Sequence, residues 1–464
     1  MPSEWVLWLL AAAAGGAAWL AGRTGAQGLS RPAGWGSFAL FTLGAGFWMF
    51  GDTYAYYYAG KESALRFAYW GSYREHQMWG EIIQAFRRRH PEIRVKREYI
   101  TDRYSEKIQQ LLLADEAPDV LMFQDEPFPR FVSSGKFEAL DDYCRQPDRP
   151  LDLDSDFFET SVPHFQVDGT TYGIPVFGGN CLILYNRDAF REAGVPEPPD
   201  HWTMDEFLAT CRRLTADTDG DGRMDRYAFL VPSWVYWMPF HYAYGGRYLD
   251  PTRRHWRLWG PEAEASFAFW QDLRHRHHVA PHRDELGETG GVAFMTGRVA
   301  MQVNGPWAMP PLNAAGVSYG VAHTPSGPGG RATRVTWDAL VMFSGSRKKD
   351  EAWRFIHFAL GLEAQETVAR YQRSIPALKA AGQAFIDTNP EVRAGRFIEA
   401  IEYSRFQPIT VDWALMSREM SSETDLMLDG RQTPRQTLLD LVGNVHLSER
   451  FAMPAVESAG GKGG

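Results

Sequence analysis

Uninterrupted apolar runs open the chain, and shorter patterned runs follow. Residues 5–22 carry no charge, and neither do residues 32–51. At about 1.5 Å of rise per residue, each run can cross a hydrocarbon core about 30 Å thick. The pattern therefore predicts two transmembrane helices, 4–22 and 33–51. Trp5, Trp8 and Trp19 flank the first run, and Trp35 and Trp48 the second, where indole rings favour the interface. Arg23 and Arg31 lie between the runs with no acid beside them. A short basic loop stays cytoplasmic, which places everything beyond residue 51 outside. The alternative is one signal peptide with Arg31 and the second run as its basic and apolar parts. Both readings export the rest of the chain. Residues 52–62 form a linker that reaches at most about 40 Å.

Beyond the linker the pattern shortens. Residues 65–70 alternate and are rich in β-formers before Gly71-Ser72, a strand ending in a loop. Trp79, Ile82, Ile83 and Phe86 recur at helical spacing within 76–90, and Pro91 ends that helix. A strand over 93–100, a helix over 104–114 and a short buried-type strand over 119–123 follow. This β-α-β-α-β order argues for an α/β lobe with a mainly parallel sheet. Ligands of such sheets sit beyond the carboxyl ends of the strands, here Trp70-Gly71-Ser72 and Gln124-Asp125-Glu126. Gly178-Gly179-Asn180 then leads into a strand over 182–186, and helices are expected over 188–193 and 203–214. Residues 194–324 read mostly as helices and loops, a second lobe. A strand over 336–343 and a helix over 349–361 precede a mainly helical C-terminal third. The domain assignment is an anchor (1–51), a linker (52–62), lobe 1 (63–188 and 325–345), lobe 2 with the C-terminal helices (189–324 and 346–458) and a flexible tail (459–464).

Composition sharpens this picture. At 464 residues the chain exceeds one ordinary core. Its 17 Trp stand out, because each indole needs burial and a partner for its N–H. Such a surplus points to membrane-interface belts and a stacking cleft. The net charge of −9 argues against nucleic acid, which demands a basic face. Cys144, Cys181 and Cys211 are scattered and match no metal-ligand spacing, so they read as small buried hydrophobes. No H-E-x-x-H or Walker loop is present. The chain is read as a non-enzyme, although glycosidase carboxylates pair only in space and keep an anchored glycoside hydrolase open.

Two clusters invite a metal reading. His275, His277, His278 and His282 do not share one helical face and read as a solvated helix end. Asp217, Asp219, Asp221 and Asp225, with Gly222, follow the first nine positions of a calcium loop, but Ala228 stands where the bidentate acid belongs. An acidic turn and a structural Ca2+ site both fit. No cofactor is otherwise required.

Several phrases, in order, resemble the extracellular solute-binding proteins of ABC importers, the family of maltose- and multiple-sugar-binding proteins. They include Tyr69-Trp70-Gly71-Ser72, His90-Pro91-Glu92-Ile93, Ala117-Pro118-Asp119-Val120, Tyr172-Gly173-Ile174-Pro175, Leu184-Tyr185-Asn186-Arg187-Asp188, Gly305-Pro306-Trp307 and Ala352-Trp353-Arg354-Phe355. The resemblance implies a type II periplasmic-binding-protein fold, a Venus-flytrap of two α/β lobes that closes on its ligand and delivers it to a separate permease. Two retained spans would depart from the cleavable signal usual in that family.

A sugar presents apolar C–H faces and rings of hydroxyls, so its receptor needs aromatic plates and fixed polar groups. The candidates at loop ends are Trp70, Asp125, Glu126, Asn180, Trp234, Tyr236, Trp237, Trp307, Trp337, Asp338 and Tyr371. Asp125 is preferred over its neighbour Glu126, since adjacent strand residues face opposite ways. Trp79, Trp202, Trp270 and Trp353 lie on helical stretches and are assigned to packing. The expected protein is a sugar receptor tethered to the inner membrane on its periplasmic or extracellular side, with ABC permease subunits as partners. A tethered ligand sensor remains the alternative binding class.

Overall fold

The computed structural model describes residues 64–124, 128–250, 256–282, 285–286, 289–407 and 413–448. Both predicted spans and the tail lie outside these residues. Among the described residues no helix is long and apolar enough to cross a membrane.

Strands follow the order β1 (Ala64–Tyr69), β2 (Arg94–Tyr99), β3 (Val120–Gln124), β4 (Gln166–Val167), β5 (Thr170–Thr171), β6 (Gly173–Asn180), β7 (Leu182–Asn186), β8 (Tyr227–Phe229), β9 (Val299–Asn304), β10 (Tyr319–Ala322), β11 (Thr333–Met342), β12 (Ile375–Pro376) and β13 (Ser404–Phe406). One sheet runs β12-β6-β11-β3-β1-β2, with β13 also on β11. β1 and β3 are parallel, but β11 is antiparallel to both β3 and β6. The sheet is thus mixed rather than mainly parallel. The reason is topological: β6 leaves for the second lobe through the edge by which β11 returns. It follows that β1, β3 and β6 share one direction, and their carboxyl ends share that edge.

A second sheet runs β10-β7-β9-β8. Residues 194–324 are mostly helices and loops, as expected, but they also supply three short strands of this sheet. They are three to six residues long and almost wholly buried, so they lack the alternation that marks a half-exposed strand. β7 shows why. Leu182 and Leu184 join one buried cluster, which runs from the first lobe to Met309, Leu312, Tyr319 and Val321 of the second, whereas Ile183 and Tyr185, with Cys181 just ahead of the strand, join the other.

The lobe boundaries also move. β7 belongs to the second sheet, so the first crossing falls at Cys181 rather than after residue 188. The helices Lys349–Leu360 and Leu362–Tyr371 bury Trp353, Phe355, Ile356 and Val368 in the first core, not the second. The helix Trp413–Leu428 does pack in the second, through Met416, Met420 and Met427. All three cysteines are buried and free.

The helix Met204–Leu214 starts at a reciprocal cap. The Thr203 hydroxyl accepts from Glu206 N–H, and the Glu206 carboxylate accepts from Thr203 N–H at 2.7 Å. Thr203→Ala removes the first of these bonds and is expected to cost about 1 kcal/mol in urea denaturation.

Candidate functional site

The edge shared by β1, β3 and β6 is where one lobe meets the other. Trp70 follows β1, half-buried, its ring centroid 4.9 Å from that of Tyr104. The Tyr104 hydroxyl donates to Met122 O at 2.7 Å, which locks that ring under the loop. Burial pushes the Tyr104 phenol well up, and the Asp338 carboxylate adds to it. Asp338 pairs in register with Gln124 on one side and Phe177 on the other. It is half-exposed, whereas Trp337 beside it is 0% exposed, as neighbours on a strand must face opposite ways.

The second lobe brings its own aromatic groups to this edge. Asn304 pairs with Leu182, so the end of β9 lies beside the first crossing. Gly305 and a 3-10 turn, Pro306–Ala308, then carry Trp307. A Cβ on Gly305 would lie 2.3 Å from the Trp307 ring and one on Gly179 would lie 2.9 Å from it. The indole therefore folds back over one glycine and rests on the other, at the end of β6. Tyr236 meets it edge-on at 6.4 Å. Burial raises the Tyr236 phenol, while the guanidiniums of Arg334 and Arg373 and the Trp307 indole oppose the shift.

Arg334 binds the crossings together. Its Nε donates to Cys181 Sγ at 3.3 Å, its Nη1 donates to Gln407 Oε1, and its guanidinium lies 5.4 Å from the Tyr236 ring centre. Asn180 is fully buried: its amide donates to Phe397 O at 2.7 Å, and its Oδ1 has no partner.

Of the predicted site residues, the structure brings Trp70, Asn180, Tyr236, Trp307 and Asp338 to this junction. Asp125 and Glu126 lie outside the described residues. Trp337 is removed to the first core, where its ring stacks on Phe158 at 6.0 Å. Trp237 is sandwiched between Phe240 at 4.4 Å and Trp270 at 5.0 Å, its N–H donated to Ser266. Trp234 is 1% exposed and packs on Trp413. Both sit on a ten-residue helix, Trp234–Ala243, that tolerates Pro239 inside it. Burial of Trp234, Trp237, Met238 and Phe240 outweighs the one bond proline removes. Tyr371 is half-buried, its hydroxyl donated to Glu81 at 2.7 Å.

Tyr104, Arg334 and Arg373 were missed. No local motif announces them: Tyr104 opens a helix, Arg334 lies on β11 and Arg373 lies in the loop before β12, so the packing of separate elements places them.

The metal candidates divide. Carboxylate oxygens of Asp217, Asp219 and Asp225 lie within 4.8 Å of one another, and Asp221 is not among them. These acids already accept loop N–H groups: Gly220 and Gly222 donate to Asp217, and Thr218 to Asp225. Of the histidines, His278 is exposed just past the helix end, as expected, whereas His275 is less solvated: its Nε2 lies 2.9 Å from Leu428 O and its ring meets His282 at 5.1 Å.

Two lobes, crossing segments and an aromatic-lined junction define a solute-binding protein. Residues 81–394 match the family model for bacterial extracellular solute-binding proteins, and the chain belongs to that family. A putative binding protein of Brucella abortus is 25% identical over 366 residues, 78% of this chain and 87% of that one. The maltotriose-binding protein of Pyrococcus abyssi is 25% identical over 308 residues, 64% of this chain and 62% of that one. An ABC substrate-binding protein of Listeria monocytogenes, solved with cycloalternan, superposes with a TM-score of 0.75 at 22% identity, covering 83% of this chain and 98% of that one. UgpB of Mycobacterium tuberculosis, solved with glycerophosphocholine, gives 0.69 at 22% identity, with coverages of 83% and 98%. At these identities the structural likeness concerns the fold.

Proposed function

We propose that this chain captures a neutral oligosaccharide between its lobes and hands it intact to an ABC permease. The observation that carries the reading is the seating of Trp307, a second-lobe indole, on Gly179 at the edge where Trp70 and Asp338 also stand. Flat indole faces suit the C–H faces of pyranose rings, and Asp338, Asn180 and Arg334 supply polar groups for hydroxyls. Each lobe contributes part of the site, so ligand binds the closed state better and shifts the open–closed equilibrium toward it. The sugar ligands named for relatives from Pyrococcus abyssi and Bacillus subtilis support the ligand class. The uncharged runs before residue 52 support a tether that holds the receptor near its permease.

The test is titration calorimetry on Trp70→Ala and Trp307→Ala. Each is expected to weaken oligosaccharide binding by about 1–3 kcal/mol, the scale of one stacked ring, with the melting temperature little changed. Unchanged affinity in both variants contradicts the assignment.

A further inference from the structure

One charged pair at the same edge has no part in that scheme. Glu75 is 3% exposed. Its Oε2 accepts the Ser72 N–H and lies 2.7 Å from Arg373 Nε. A side chain at Gly71, where φ is 138°, would put its Cβ 2.4 Å from that same oxygen. Glu75 thus fastens the loop that carries Trp70 to the loop that carries Arg373. Arg373 stands two residues ahead of Ile375, which pairs with Gly178 on β6. It therefore reaches the junction from the β6 side while Trp70 reaches it from β1.

Nε of Arg373 meets Glu75 as an ion pair, without the alignment of a hydrogen bond. Among the described residues its terminal nitrogens have no protein acceptor, and the side chain is 29% exposed. A guanidinium drawn to this edge by that ion pair presents its two outer nitrogens as a planar fork, matched to two oxygens on adjacent carbons. Charge alone would suffice to neutralise Glu75, and a lysine would supply it. The fork is what lysine lacks.

We propose that Arg373 is a specificity-determining residue that grips a vicinal diol of the bound sugar, with Glu75 as its positioning residue. This rests on the oligosaccharide reading above and deepens it. The test compares wild type and Arg373→Lys in the full chain, titrated with maltotriose, diacetylchitobiose and a galacto-oligosaccharide, with the melting temperature recorded for both. Lysine keeps a charge beside Glu75, so the melting temperature should stay near that of wild type. Affinity for the sugar that wild type binds should fall about 10- to 100-fold, as expected for losing charge-assisted hydrogen bonds. Wild-type affinity in Arg373→Lys overturns the proposal. So does a joint fall in affinity and melting temperature, which marks a purely structural pair. If wild type binds none of the three sugars, the oligosaccharide reading itself fails, and this inference with it.

Discussion

Trp337→Ala is expected to destabilise the fold by about 3–5 kcal/mol, the range for emptying a buried indole site. Trp337 is 0% exposed in the middle of β11, the strand that joins the two lobes. Gly178 is bare opposite it, since a Cβ there would lie 2.3 Å from the indole. No neighbour can swell to refill the space, so most of the cavity should persist. The indole N–H has no hydrogen-bond partner, and Trp337→Phe should therefore cost far less than alanine. Sugar affinity of the folded fraction should match wild type in both variants. Urea denaturation with parallel titrations checks this. A stable Trp337→Ala that no longer binds sugar would return the residue to the ligand site.

The second large effect is acid lability. His241 is fully buried against Tyr248, at 4.6 Å between rings, and neither ring nitrogen has a hydrogen-bond partner. Burial holds its imidazole down from 6.5 to about 4, with the backbone of Arg247 opposing. In the unfolded chain the imidazole titrates near 6.5. Between those two values the unfolded state binds more protons than the folded one. Stability is therefore complete above pH 6.5 and is lost as pH falls toward 4, by about 3 kcal/mol from this one group. Burial also lowers His76, His277, His323 and His357, so the whole chain should weaken in the same direction. His241→Leu removes the proton site and keeps an apolar side chain in the space. Comparing urea stability at pH 7.5 and pH 4, wild type should lose about 3 kcal/mol more than the variant. Equal losses would show that the imidazole is protonated in the folded protein.

Much of this arrangement was readable from residue order. Trp70 lies where an alternating strand stops at Gly-Ser, and Trp307 lies where Gly-Pro forces a turn; both stand at the junction. Local signals of this kind mark the ends of elements, and the ligand edge of an α/β sheet is made of such ends. Trp337 shows the limit. Its side follows from the face its strand presents to the core, and Asp338 beside it takes the other face. Trp234 and Trp237 looked like loop residues because Pro239 hid a helix. β7 looked like the last strand of the first lobe because it is apolar on both sides, and it separates two cores. Arg334 and Arg373 could not be found by pattern at all. Arg334 acts on Cys181, 153 positions away, and Arg373 on Glu75, so only the assembled sheet brings them together.

The most direct measurement is a thermal-shift titration of the full chain with maltotriose, diacetylchitobiose, a galacto-oligosaccharide and glycerophosphocholine. A ligand that binds only the native state raises the melting temperature as its concentration grows. The expected result is a saturable rise with at least one of the oligosaccharides, which is recovered uncleaved. No rise with any of the three, or a rise with glycerophosphocholine alone, contradicts capture of a neutral oligosaccharide.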